Sequence, residues 1–197
     1  MAKLYFHYSS MNAGKSTALL QANHNYLERG MKTMLFTAKL DNREGGGVIS
    51  SRIGIQKEAL SFANEDNLFD MVREADSDSK LNCILVDEAQ FLSKEQVRQL
   101  IRLVDEEGIP VLTYGIRSDF KGEVFEGSKF LLAWSDEMKE IKTICHCGKK
   151  ATMNARVSTD GDMETAGAQI EIGGNERYIS LCRGCFNRGE MGSFSPV

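Results

Sequence analysis

The sequence predicts an α/β protein: a doubly wound, mostly parallel sheet with a phosphate-binding turn (a P-loop), followed by a small C-terminal metal-binding module. Three observations predict it. Short apolar runs alternate with stretches of helical period through the first two-thirds of the chain. A Gly14-Lys15-Ser16 triplet stands where the first such run gives way to the first helical stretch. Four of the five cysteines fall in two close pairs in the last third.

"LYFHY" (4–8) is short, aromatic and β-prone, and the helix after Gly14 places Leu19, Ala22 and Tyr26 at helical spacing before Gly30 stops it. "TMLFT" (33–37) is the next strand, and the glycine-rich "NREGGGVISS" (42–51) reads as a mobile functional loop. "NLFDMVREA" (67–75) predicts a short helix, and "LNCILV" (81–86) an apolar strand of a parallel sheet covered on both faces. Ser93 with Gln96 forms a capping box for a helix whose stripe is Val97, Leu100, Ile101 and Val104, ended by Gly108 and Pro110. "PVLTYGI" (110–116) supplies a strand and "SKFLLAW" (128–134) a helix. Beyond about residue 142 helical periodicity fades, glycines and cysteines rise, and short strands such as "RYISL" (177–181) are expected. The expected division is therefore 1–142 for the sheet domain and 143–197 for the second module.

At 197 residues, 42% apolar and 26% charged, the composition is that of an ordinary globular protein. A formal charge of −4 argues against a dedicated nucleic-acid binder. The apolar run "LLAW" (131–134) is too short to span a bilayer, so no membrane role is expected. "MAKLYFHYSS" lacks a secretory layout, and a cytoplasmic location is expected.

Gly14 lets successive backbone N–H groups turn inward toward phosphate oxygens, Lys15 can reach the β- and γ-phosphates, and the Ser16 hydroxyl can hold Mg²⁺. The helix that starts here adds the positive end of its dipole. The usual pattern has glycine where this chain has Ser9. If Ser9 must be left-handed, the penalty is roughly 1–2 kcal/mol, which a folded core absorbs. "CILVDEAQF" (83–91) ends an apolar strand in Asp87 and Glu88, the first suited to the Mg²⁺ shell and the second to accepting a proton. A chance triplet at a helix start and a solvated acidic turn are the blander alternatives, and their joint occurrence favours chemistry.

"CHCGKK" (145–150) and "CRGC" (182–185) supply Cys145, Cys147, Cys182 and Cys185, a set that suits a closed structural zinc site. The Cys145-x-Cys147 spacing is one residue tighter than usual, and His146 is a weaker alternative ligand. Cys83 reads as a small core residue. Phe91, Phe120 and Phe125 follow different strands and can wall one apolar pocket, or each can be core. "IEIGGNERYISLC" (170–182) joins flexible glycines to Tyr178 and to the second cysteine pair, a layout for a lid whose root is pinned by metal.

Taken in order, "MNAGKST", "LDNR", "VDEAQF", "YGIRSDFKGEVF", "LLAWSDEM", "KTICHCGKKA" and "IGGNERYISLCRGC" resemble the zinc-containing (type II, cellular-type) thymidine kinases over nearly the whole chain. The resemblance implies transfer of the ATP γ-phosphate to the 5′-hydroxyl of thymidine or deoxyuridine, a homotetramer, and feedback inhibition by dTTP. It implies that Ser9, Ser10, Met11, Asn12, Ala13, Gly14, Lys15 and Ser16 hold the ATP phosphates, with Asp41 and Arg43 near them. Glu88 becomes the general base, and Asp87, Ala89 and Gln90 line the phosphate and Mg²⁺ side. Phe120 would stack on thymine beside Met11, Phe91 and Phe125. Gln169, Ile170, Glu171, Ile172 and Gly173, with Tyr178, match a lasso loop that clasps the base. The four paired cysteines match the structural zinc ligands. Ser9, and Ala89 where glycine or cysteine is common, depart from the family pattern without altering the chemistry. A P-loop ATPase whose cysteine module grips nucleic acid is the rival. Its module would carry six Lys/Arg against six Asp/Glu between 143 and 197, too little surplus for a phosphate-backbone clamp.

Overall fold

The computed structural model describes residues 1–40, 47–76, 81–170 and 177–192. The chain runs through β1 (Leu4–Ser9), α1 (Lys15–Leu27), β2 (Thr33–Ala38), a hairpin of β3 (Val48–Ser50) and β4 (Gln56–Glu58), β5 (Leu60–Phe62) and α2 (Leu68–Ala75). β6 (Cys83–Val86) passes through a 3₁₀ turn (Ala89–Phe91) to α3 (Lys94–Asp105). Then come β7 (Val111–Ile116), α4 (Glu126–Trp134) and β8 (Glu137–Glu140). Six of these strands form one wholly parallel sheet in the order β5-β2-β6-β7-β1-β8. Parallel pairing brings the carboxyl ends of β1, β6 and β7 to one edge, where ligands of open α/β sheets bind.

Strand alternation splits the core into two layers. Met34, Phe36, Ile84 and Val86 face a layer shared with α2, α3 and α4, while Leu35, Cys83 and Leu85 face Leu19 and Leu20 of α1. Phe6, Phe36 and Phe62 are fully enclosed, and burying side chains of this size contributes about 1.5–3 kcal/mol each. The predicted capping box is present at α3, and Gln96 also donates to the carbonyls of Ala63 (2.6 Å) and Asp66 (3.1 Å). At α2, Asn67 caps the amides of Phe69 and Asp70.

One expectation is corrected, and two elements go beyond the sequence reading. Within the 42–51 loop, Val48–Ser50 is a strand, because Ile49 is buried against Leu19 and Leu20; residues 42–46 lie outside the described set. β8 was not expected, since "EMKE" has no apolar alternation; it is an edge strand, where charged side chains keep the open side in water. A short helix, α5 (Arg183–Arg188), follows the last strand, with Cys182 as its N-cap.

In that last part β9 (Thr143–Ile144) and β10 (Lys150–Ala151) make a hairpin, and β11 (Met153–Val157) pairs antiparallel with both β12 (Met163–Glu164) and β13 (Tyr178–Leu181). Its buried cluster is Ala151, Ala155 and Leu181 with three cysteines. So little apolar volume calls for another source of stability, such as a metal.

Candidate active site

The loop between β1 and α1 is built as the sequence requires, with one revision. Gly14 caps α1 in the left-handed region (φ 82°). Ser9 remains in β1, so its side chain brings no backbone strain; the left-handed non-glycine position in the loop is Asn12 (φ 60°). Ser9 has a positive use, since its hydroxyl accepts from Lys15 Nζ at 3.2 Å while the Ser10 carbonyl accepts from the same ammonium at 3.1 Å. The buried Ser10 hydroxyl has no partner among the described residues. A loop holding a buried ammonium, an unpartnered hydroxyl and a helix start is suited to an anion.

The acids stand next to this loop. Ser16 Oγ donates to Asp87 Oδ2 at 2.7 Å, and the Glu88 amide donates to Asp87 Oδ1 at 3.0 Å. Burial, and then the negative Glu88, push the Asp87 carboxyl up to about 7, against the opposing pull of Ser16, the Glu88 amide and Lys15. A hydroxyl and a carboxylate side by side are a hard-oxygen donor pair suited to Mg²⁺, whose charge would favour the ionised acid. Glu88 is itself left-handed (φ 51°) and accepts from Gln90 Nε2 at 2.5 Å. Gln90 is fixed in turn, because its Oε1 accepts from the Ile116 amide at 3.1 Å.

Two glycines let this turn sit so close. A Cβ on Gly115 would lie 2.9 Å from Gln90 Oε1, and one on Gly127 would lie 2.4 Å from the Ala89 carbonyl oxygen. Neither was singled out by sequence, because their requirement is a close approach between segments and leaves no local pattern.

One cavity of about 430 Å³ joins the two halves. It brings together Met11, Asn12, Gly14, Lys15 and Ser16 with Glu88, Gln90 and Phe91. It is also lined by Phe120, Phe125, Gln169, Ile170 and Tyr178. Phe91 and Phe125 meet edge to face at 5.9 Å and 82°. One face of Phe120 is taken by the Arg156 guanidinium, 3.8 Å from the ring centroid. Arg156 is 4% exposed, pairs with Glu164 and donates to the Ala168 carbonyl at 3.1 Å, so it ties that aromatic ring to the segment before residue 169. Asp119 accepts from Gln169 Nε2 at 3.0 Å and from the amides of Lys121 and Glu123. Ser9, Ser10, Ala13, Asp87 and Ala89 are not among the lining residues, although Ser9 and Asp87 touch two that are. Asp41, Arg43, Glu171, Ile172 and Gly173 lie outside the described residues. Sequence reasoning missed Asp119, Asn154 and Arg156, and also the hairpin residues Arg52 and Ile53, which line the same cavity next to Ser51.

The sulfurs of Cys145, Cys147, Cys182 and Cys185 all lie within 4.8 Å of one another, with Cys147 and Cys182 at 3.7 Å. Zinc–sulfur bonds of about 2.3 Å in a tetrahedron imply sulfur–sulfur edges of about 3.8 Å, so the set fits that ion. The tight Cys145-x-Cys147 spacing is accommodated by a turn through Gly148 (φ 80°), whose amide donates to the Cys145 carbonyl at 2.9 Å. The Cys185 amide donates to the Cys182 sulfur and lowers that thiol, while burial raises the Cys185 thiol beside it, so the sulfurs titrate as one interacting set. His146 points elsewhere, to the Glu190 carbonyl at 3.0 Å. Cys83 is core, its thiol pushed up to about 11 by burial.

Fold and cleft together define an α/β nucleotide-binding protein whose cavity extends from the helix-start loop to an aromatic wall, with room for a second ligand. The thymidine kinase family profile matches residues 2–186. A thymidine kinase of Xanthomonas axonopodis pv. citri is 57% identical over 201 residues, covering all of this chain and 96% of its own length. One from Legionella pneumophila (strain Lens) is 55% identical over 197 residues, covering all of this chain and 94% of its own. A third, from Haemophilus influenzae, is 57% identical over 183 residues, or 93% and 95% of the two chains. The chain belongs to the thymidine kinase family.

Proposed function

We infer that this chain, as an ATP-dependent thymidine kinase, moves the γ-phosphate of ATP to the 5′-hydroxyl of thymidine, and of deoxyuridine, with Glu88 as general base. The observation that carries the reading is that Lys15, Ser16, Glu88 and the aromatic wall of Phe91, Phe120, Phe125 and Tyr178 line one cavity. Lys15 and the amides of residues 9–16 hold the triphosphate, with Asp41 and Arg43 assigned beside it by the resemblance. Ser16 and Asp87 would hold Mg²⁺, which would supply charge neutralisation at the phosphates. Gln90 orients the Glu88 carboxylate. That carboxylate takes the proton of the 5′-hydroxyl as its oxygen bonds to the γ-phosphorus and the bond to the β-phosphate bridging oxygen breaks, releasing ADP and dTMP. The pyrimidine lies among the phenylalanines and Met11, beside Gln169, Ile170 and Tyr178, with Glu171, Ile172 and Gly173 assigned to the lasso by the resemblance.

The four cysteines would hold zinc, which would pin the root of that lasso, and a thiolate site of this kind suits the reducing cytoplasm. dTTP carries a pyrimidine sugar and a triphosphate in one molecule, matching both ends of the cleft, and is the proposed feedback inhibitor. The assembly is a homotetramer, as the family resemblance implies. Glu88→Gln tests the central role: removing a positioned base should lower kcat by about 10²–10⁴-fold with ATP binding intact. Near-normal turnover would take Glu88 out of the mechanism.

A further inference from the structure

The phosphate loop is held by more than its own strand and helix. The Met11 amide donates to Asn154 Oδ1 at 2.7 Å, and the other end of that side chain, Nδ2, donates to the Ser118 carbonyl at 2.7 Å. Ser180, directly opposite Asn154 in the β11–β13 ladder, donates its hydroxyl to the Met11 carbonyl. The Asn12 side chain donates to the Tyr178 carbonyl at 3.1 Å. Both backbone polar groups of Met11 are therefore bonded to side chains of the cysteine module, and the next residue is tied to the same sheet.

Asn154 is 2% exposed and lines the cavity. A buried amide must satisfy both ends, and only the orientation with oxygen toward the Met11 N–H and nitrogen toward the Ser118 C=O does so. It thereby links three places at one point: the phosphate loop, the segment after β7 that carries Asp119 and Phe120, and β11. Asn12 is left-handed at φ 60°, a conformation asparagine tolerates better than most non-glycine residues, and its side chain is fixed there by the bond to the Tyr178 carbonyl.

We propose that Asn154, with Ser180, is a positioning residue for the triphosphate: the β11–β13 sheet of the cysteine module sets the shape of the ATP cradle, beyond any part it has in closing over the nucleoside. This rests on the reading above that residues 9–16 hold ATP. Because β13 also carries Tyr178, the two substrates share one support, and loosening it weakens ATP binding even though no ATP-binding group is removed.

The experiment compares full-length Asn154→Leu, Ser180→Ala and the double variant with wild type, measuring KM for ATP and for thymidine, kcat, and ATP affinity without nucleoside. Lys15→Ala is the control. Ser180 is not a lining residue of the cavity, so its change isolates the support from any direct contact with the nucleoside. Each single variant should weaken ATP binding by roughly three- to tenfold, the loss expected from one such hydrogen bond. Ser180→Ala should raise the thymidine KM by less than it weakens ATP binding, and the double variant should fall short of the product of the singles because both act on one residue. ATP affinity within about twofold of wild type in Ser180→Ala overturns the proposal, and does so even if Asn154→Leu fails to fold. A shift confined to the thymidine KM also overturns it. If Lys15→Ala keeps normal ATP affinity, the loop is not the ATP site and the underlying reading fails; if it loses ATP while the other variants do not, this inference alone fails.

Discussion

Gly127→Ala sets two effects against each other. Gly127 is the second residue of α4, where helix propensity alone would favour alanine by up to about 1 kcal/mol. Packing opposes it: the new Cβ would stand 2.4 Å from the Ala89 carbonyl oxygen, 2.8 Å from that of Leu92 and 2.9 Å from that of Gln90. Ordinary contact begins at 3.4 Å, so the helix and the Ala89–Phe91 turn must separate by about 1 Å. Forcing a methyl into tight packing costs about 1–3 kcal/mol, so packing wins and the variant is less stable by on the order of 1 kcal/mol. The larger effect is on rate. That turn follows directly from Glu88 and contains Gln90, and displacing a catalytic group by 1 Å can cost about 10²-fold. A fall in kcat of roughly 10- to 100-fold is expected, with the KM for ATP changed far less, because the phosphate loop is a separate element. Urea unfolding and a phosphoryl-transfer assay on the same preparation measure both. A variant more stable than wild type with unchanged kcat refutes the reasoning.

The remaining expectations concern the module and a pH dependence. Purified protein should hold one zinc per chain, and Cys185→Ser should lose the metal, lower the unfolding temperature and abolish phosphorylation, read by metal analysis and calorimetry; full activity in zinc-free protein would contradict this. His7 stacks on Tyr114 at 4.4 Å and 9°, and its Nδ1 is buried with no partner among the described residues. Burial, and then the positive Lys139, lower its pKa from the usual 6.5. The unfolded chain then binds the proton more readily than the folded one, so this stability is present above the unfolded value and lost as pH falls through 6.5 toward the folded one. His7→Phe keeps a stacking ring and removes the titration, so its melting temperature should change less than wild type between about pH 7.5 and about pH 5. Equal slopes would sink that account.

What the sequence made legible is what repeats at short range. The enclosed strands announced themselves through unbroken apolar runs such as Cys83–Val86, and α3 through Ser93 and Gln96 three residues apart. The polar strands β4 and β8 could not be read this way. Each is exposed enough to carry charge on both faces, and alternation is a signal of one-sided burial. The Gly14-Lys15-Ser16 triplet and the cysteine pairs were readable because phosphate and metal demand fixed residue types at fixed spacing. Nothing comparable marks Asn154, an asparagine in a short strand whose importance lies in reaching Met11 across 143 positions of sequence.

Among the described residues, the two non-glycine positions in the left-handed region are Asn12 and Glu88, and both line the cavity. A sequence whose local preferences agree with its fold is expected to break them where geometry serves function. Each strained residue is held by elements far away in the chain. Asn12 bonds across 166 positions to the Tyr178 carbonyl, and the turn after Glu88 is held through Gln90 to Ile116 and packs against Gly115 and Gly127. The strain at the cradle and at the carboxylate is thus borne by different parts of the molecule: the cysteine module for the first, β7 and α4 for the second. Damage to the module should therefore appear first in ATP binding, and damage to Gly127 first in kcat. That separation links the two variant series into one test, since the opposite assignment of effects would mean that the loop and the turn move as a single body.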